Sequence, residues 1–206
     1  MIHIITPCTR PSNLKKIFES IPAPCRWIVV LDASVKGEES DLQIASFLDA
    51  AISPSTSQDF GRPGLLVKRS QLGGRWGNLC RNQALDELVA DDDDWVYFLD
   101  DDNIIHPDWY WGVLPHLNSD AVMVGWGQLN KDESIRLMPP RNVLINHIDT
   151  ASFMVRWKAL KNFRWNTERR DADGLLAVEV DQQYGHETID QYLCWHNALD
   201  QNDEHS

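Results

Sequence analysis

WVYFLDDDN, residues 95–103, is the stretch that decides the fold. Five aromatic or aliphatic residues run without a polar break, and then three carboxylates and an amide follow. Such a run predicts a strand over 95–99 that is buried on both faces. Three neighbouring carboxylates repel one another, so their position at a strand end calls for a cation or a donor-rich partner. A second acidic run, DDDD at 91–94, precedes the same strand and has no apolar flank upstream. It reads as a solvated loop with no part in ligand binding.

Further strands and helices alternate upstream of this one. IHII (2–5) reads as a strand, Thr6 to Pro11 as a loop, and Pro11 as the opening of a helix with Leu14, Ile17 and Phe18 on one face. WIVVL (27–31) is a second strand that ends at Asp32. Residues 40–50 read as helix, 53–64 as loop, and LLV (65–67) as a third strand. A Gly-rich turn (73–77) leads into a helix over 78–89 carrying Cys80, Ala84, Leu85, Leu88 and Val89 at helical spacing. This alternation predicts an α/β chain with a Rossmann-like, mostly parallel central sheet and helices on both faces. Ligands of such sheets bind beyond the carboxyl ends of the strands, where Asp32 and Asp100–Asp102 fall. Downstream, 107–117 reads as helix and 121–126 and 151–155 as strands. Residues 1–200 read as one domain and 201–206 as a frayed tail.

The chain has 206 residues, and a net charge of -12 makes a phosphate backbone an unfavourable partner. Nucleic acid is therefore not expected. Cys8, Cys25, Cys80 and Cys194 show no C-x-x-C spacing, so reduced, buried thiols are expected rather than zinc or a redox motif. The opening MIHIITPCTRP lacks a basic region and length for a signal peptide, and no apolar run approaches the ~20 residues of a membrane span. A cytoplasmic location is the expectation.

GGRWGNLCRNQAL (73–85) is a Gly-rich turn leading into a helix with two arginines, a pattern suited to an anion. It is not a P-loop, because G-x-x-x-x-G-K-[ST] is absent.

In order, TPCTRP (6–11), WIVVLDA (27–33), RWGNLCRNQAL (75–85), YFLDDDN (97–103) and IDTASFMV (148–155) resemble the motifs of the animal β-1,3-glucuronyltransferases. They are also similar to inverting glycosyltransferases more broadly. The first loop is one residue shorter than in that family, Leu31 stands where the family has Glu, and the arginine spacing is one residue longer. The resemblance therefore extends to fold and reaction class and not to the donor sugar. It implies a glycosyltransferase-A fold, with a nucleotide-binding half (1–103) and an acceptor-binding half (104–200). It also implies a nucleotide-diphosphate donor such as a UDP-sugar, a hydroxyl acceptor on a glycan or other molecule, and Mn2+ or Mg2+. By motif position, Asp32 matches the uracil contact. Arg75 and Arg81 match arginines near the base and diphosphate, Asp101 a ribose contact and Asp102 the metal ligand. Asp100 would orient the nucleotide or the turn. Thr6, Pro7, Arg10 and Asn82 lie in the same motifs and are expected on the nucleotide.

An inverting transfer needs a carboxylate to deprotonate the acceptor. Asp149, Glu168, Asp171, Asp173 and Glu179 are available, and the resemblance points to RDADGLLAVEV (170–180). Asp173 before Gly174 is the first choice and Asp171 the second, with helix capping as the bland alternative for both. Asp149 is expected to contact the acceptor or brace the site. His186 and His196 are candidates for a metal or diphosphate contact, with His186 assigned to the metal. Trp27 and Trp95 are expected in the core. Trp76, Trp109, Trp111 and Trp126 fall near the expected cleft, and Trp126 is assigned to the acceptor. The competing readings are a sugar nucleotidyltransferase and a catalytically silent nucleotide- or carbohydrate-binding module. The first lacks its Gly-rich opening here.

Overall fold

Continuous apolar strands need cover on both faces, because successive side chains point to opposite sides of a sheet. The computed structural model describes residues 1–52, 63–71, 73, 75–129, 134–139, 143–145 and 148–199. In it, β1 (Ile2–Cys8), β2 (Cys25–Leu31) and β4 (Trp95–Phe98) alternate in this way. Ile4, Trp27, Val29 and Tyr97 join one core with α1 (Leu14–Ser20) and α2 (Glu38–Ile52). Ile5, Ile28, Val30 and Phe98 join the other, under α3 (Asn78–Asp86) and α6 (Ala172–Tyr184). Trp27 stacks edge-on against Phe47 of α2, at 5.8 Å between centroids, and its indole N–H donates to Thr6 Oγ1 at 2.9 Å. Trp27 and Trp95 are buried as expected, and all four cysteines are free and buried.

The remaining elements are β3 (Gly64–Arg69), β5 (Ile104–Ile105), α4 (Trp109–Val113), β6 (Ala121–Leu129), β7 (Ile135–Met138), β8 (Phe153–Arg156), α5 (Trp157–Leu160) and β9 (Glu187–His196). Among the described residues they complete one sheet in the order β3-β2-β1-β4-β8-β6-β9-β5, with β7 on β6. The first four strands are parallel. Past β4 the sheet is mixed: β8 is antiparallel to both neighbours, while β6 and β9 run parallel to each other. The chain leaves β1 in one direction for β2 and β3 and returns on its other side as β4. The carboxyl ends of β1 and β4 therefore flank a topological switch point, the place where an open α/β sheet leaves a crevice.

Residues 53–62 of the expected loop and the expected tail 201–206 lie outside the described residues. The DDDD run sits at the far end of β4 from that crevice. There Asp94 takes the Met1 amine at 2.5 Å and His3 Nε2 at 3.0 Å, and Asp92 pairs with Lys161 at 2.8 Å. The run ties the start of β1 to α5.

Candidate functional site

A cleft of about 520 Å3 opens at the switch point. Its walls bring together ten of the residues singled out from sequence: Pro7, Arg10, Trp76, Arg81, Asp100, Asp101, Asp102, Asp149, Asp173 and His196.

The turn after β4 is braced from several sides. Asp101 Oδ2 accepts from the Thr9 and Arg10 backbone N–H groups, at 2.6 and 2.8 Å, and from Thr9 Oγ1 at 3.0 Å. Its Oδ1 accepts from Arg10 Nε and Nη2, at 3.0 and 2.6 Å. Five donors saturate a carboxylate's roughly four lone-pair directions. Asp101 therefore locks the β1 loop to the β4 turn, where the motif position suggests a ribose contact. Arg10 Nη2 also reaches Asp102 Oδ2 at 2.8 Å. Asp100 pairs with Arg81, whose guanidinium also donates to Trp76 O at 2.6 Å and Asn78 Oδ1 at 2.9 Å. Arg81 lies 4.5 Å over the Trp165 ring, a cation–π contact in a buried setting. Burial raises the Asp100 carboxyl, against the pull of Arg81 and with the repulsion of Asp149 and Asp101. The turn is latched from behind as well: Asn197 N donates to Asn103 Oδ1 at 2.8 Å, and Leu199 N to Asp102 O at 3.0 Å.

Asp173 reaches the cleft from the first turn of α6. Burial pushes its carboxyl up to about 7, helped by the nearby charges of Asp149 and Asp100. The Gly174 N–H, donating to Asp173 Oδ1 at 2.8 Å, and Arg81 oppose that rise. Gly174 is required where it stands. A Cβ there would lie 1.9 Å from Ile145 O, so the chain leading towards Asp149 rests directly on the helix that carries Asp173.

Asp149 caps the short turn Thr150–Ser152: its Oδ1 accepts from Ala151 N at 3.0 Å, and Ser152 Oγ receives the Asp149 N–H at 3.1 Å. His196 Nδ1 lies 3.2 Å from Asp149 Oδ2 in ion-pair range, and its ring packs on Trp126 at 4.8 Å. Burial draws the His196 imidazole down, but Asp149, Asp102 and Asp100 together leave it raised.

Several expected residues, Trp109 and Trp111 among them, do not line the cleft. Thr6 is buried beneath Trp27. Asp32 is buried at the end of β2, accepting from Ser34 N at 2.8 Å and facing Cys80 Sγ at 3.6 Å. Asn82 clasps the Trp165 backbone, donating at 2.9 Å and accepting at 2.8 Å. Asp171 is held by Arg169 at 2.8 and 2.7 Å, which lowers its carboxyl and turns it away from base chemistry. His186 pairs with Asp181 at 2.6 Å past the far end of α6, about 18 Å of helix from Asp173. Trp126 is one layer back, behind His196. The Arg75 side chain lies outside the described residues.

Thr9, Asn78, Thr150, Trp165, Arg170 and Asn197 line the cleft without having been singled out. Arg170 stands in RRDAD, a segment read only for its acids. Among the described residues it carries no ion pair, so it is available to an anion. Five carboxylates against three arginines in one cleft favour a cation-bearing ligand. Among the described residues no group of three or more His, Cys, Asp or Glu side chains could by itself hold a metal ion.

No protein-family model and no curated protein matches the chain. Solved structures do resemble it. The crystal structure of S. aureus TarS 1–349 superposes with a TM-score of 0.64 at 16% identity, over 94% of this chain. The chain spans 59% of that TarS chain. A 4-diphosphocytidyl-2C-methyl-D-erythritol synthase from Anaerococcus prevotii DSM 20548 gives a TM-score of 0.50 at 11% identity, over 92% of this chain and 86% of that one. No helix of the described residues is long and apolar enough to cross a membrane. The protein has a mixed α/β, Rossmann-like fold, which it shares with these two structures.

Proposed function

We propose that the protein is a metal-dependent inverting glycosyltransferase that moves a sugar from a nucleotide-diphosphate donor, a UDP-sugar, to a hydroxyl acceptor. One observation carries this reading. Asp173, with its carboxyl near neutrality, shares a cleft with the Asp100–Asp102 turn at the switch point of a nucleotide-binding fold. A base that titrates near working pH combines a usable ionised fraction with real proton affinity. Asp173 takes the acceptor hydroxyl's proton. Asp149, held by its own capping turn, orients the acceptor. Arg170 is placed to receive the negative charge of a leaving diphosphate.

The donor set suits a hard cation of the Mg2+ or Mn2+ type in its sparsest mode, one or two carboxylates plus substrate phosphates and water. Asp102 and His196, which both line the cleft, would hold it. With no larger cluster among the described residues, oxygens of the donor's diphosphate would complete the shell. When bound, such an ion offsets charge on the leaving diphosphate. The motif likeness to the β-1,3-glucuronyltransferases supports the inverting assignment and leaves the sugar open.

Titration calorimetry of UDP with and without Mn2+ tests the donor site, followed by hydrolysis assays of UDP-, GDP- and dTDP-sugars. Metal-dependent UDP binding with slow sugar release is expected. Pyrophosphate release from a nucleoside triphosphate and a sugar phosphate would replace this reading with a nucleotidyltransferase. Binding with no turnover of any donor would leave a silent binding module.

A further inference from the structure

All nine tryptophans lie among the described residues, and only Trp76 and Trp111 have exposed side chains, at 43% and 69%. Of these two, Trp76 lines the cleft. Its backbone is unusual for so large a residue, with φ at 65°. A bulky side chain in the left-handed region costs free energy that glycine would avoid, and such outliers persist where the surroundings over-determine them. The surroundings here do so. Trp76 O accepts from buried Arg81 at 2.6 Å, and Arg81 is anchored on Asp100 and Trp165. Gly77 follows at φ 70°, packed so closely on Pro7 that a Cβ would sit 2.7 Å from two of its ring carbons. The strained turn thus holds an indole at a cleft wall otherwise rich in charge.

We propose that Trp76 is the platform on which the donor's nucleobase stacks. This rests on the proposed function and names the part of that site that receives the base. Sequence position alone makes Trp76 a candidate for stacking a sugar of the acceptor. The fold places it instead on the connection between β3 and α3, packed through Gly77 on the end of β1, within the parallel half of the sheet. The groups assigned to the acceptor, Asp149 and Asp173, come from the later elements. An aromatic face takes any base, because every base has a π-face.

The test is calorimetry of UDP and of inorganic pyrophosphate, both with Mn2+, on wild type, Trp76→Gly and Trp76→Phe. Trp76→Gly should weaken UDP about tenfold or more while pyrophosphate changes less than about twofold. Trp76→Phe should retain most of the UDP affinity. Relief of the strained φ should leave the thermal midpoint of Trp76→Gly at or above wild type. Should that variant not fold, Trp76→Leu carries the test, since it keeps bulk without a π-face. Equal loss of UDP and pyrophosphate would overturn the proposal, because the turn would then be shaping the whole cleft. Unchanged UDP affinity in Trp76→Gly would overturn it as well, because the indole would then carry no base. Wild type that binds none of UDP, CDP, GDP or dTDP overturns the proposed function and this inference with it.

Discussion

Replacing Asp173 by Asn should make the protein more stable and inactive at the same time. The Asp173 carboxyl is raised from its ordinary 3.8 to about 7. An acid raised on folding holds its proton more tightly in the folded chain than in the unfolded one. The contribution of Asp173 to stability is therefore greatest below pH 3.8, declines as pH rises through the window to about 7, and stays reduced above it. At about 1.4 kcal/mol per pH unit, a window of about three units is worth ~4 kcal/mol at most. Partial solvent access at the cleft discounts that to ~2–3 kcal/mol. Asparagine has nearly the same shape, keeps an acceptor for the Gly174 N–H and removes the charge that Asp149 and Asp100 repel. Urea unfolding at pH 8 and at pH 3.5 measures the effect. Asp173→Asn should gain ~2–3 kcal/mol at pH 8 and almost nothing at pH 3.5, where the wild-type carboxyl is already protonated. Sugar transfer should be lost, and the wild-type rate should fall about tenfold per pH unit below 7. A variant that is less stable at pH 8, or shifted equally at both pH values, would refute the burial argument. Surviving transfer would remove Asp173 as the base.

Gly174→Ala should cost ~2 kcal/mol or more, because its Cβ meets the Ile145 carbonyl rather than a side chain that could rotate away. A thermal midpoint within a degree of wild type would mean that the loop yields freely. Asp101→Asn should lower the unfolding free energy measured in urea by ~2–3 kcal/mol, since Arg10 loses its charged partner and the Thr9–Arg10 amides a strong acceptor. If the variant is as stable as wild type and only nucleotide affinity drops, the ribose contact suggested by its motif position holds. Asp102→Asn should reduce the Mn2+ dependence of UDP binding by tenfold or more on the scale seen for lost ligand interactions. Unchanged dependence would remove it as ligand. His186→Ala should leave that dependence unaltered while His196→Ala diminishes it, and the reverse order would show that the far end of α6 reaches the metal.

The first half of the fold was legible because its signals are local. WIVVL and WVYFL are apolar on both faces, and helices that carry apolar stripes follow the strands, so chain order dictates a parallel sheet with cover on both sides. The carboxylates of FLDDDN follow directly at a strand end. The second half was less legible. β9 carries exposed residues at Glu187, Thr188, Asp190 and Gln191, and its pairing with β6 shifts register around Gly125, so no strict alternation marks it as a strand.

By itself, the sequence determined the α/β class, the strand end that bears the acidic turn and the set of groups able to do chemistry there. Only the tertiary structure decided which of them face the cleft. Asp171 and Asp173 are two residues apart, but Asp171 caps α6 from outside the helix and meets Arg169, while Asp173 in the first turn meets the cleft. Asp101 and Asp102 are adjacent and both line the cleft, yet five donors from the β1 loop saturate the first, while Arg10 also reaches the second. His196 stands beside Asp149 across nearly fifty residues, while His186 is carried off by the length of α6. Approach between segments remote in the chain is a property of packing rather than of local sequence. Residue identities name the candidates, and packing assigns their roles.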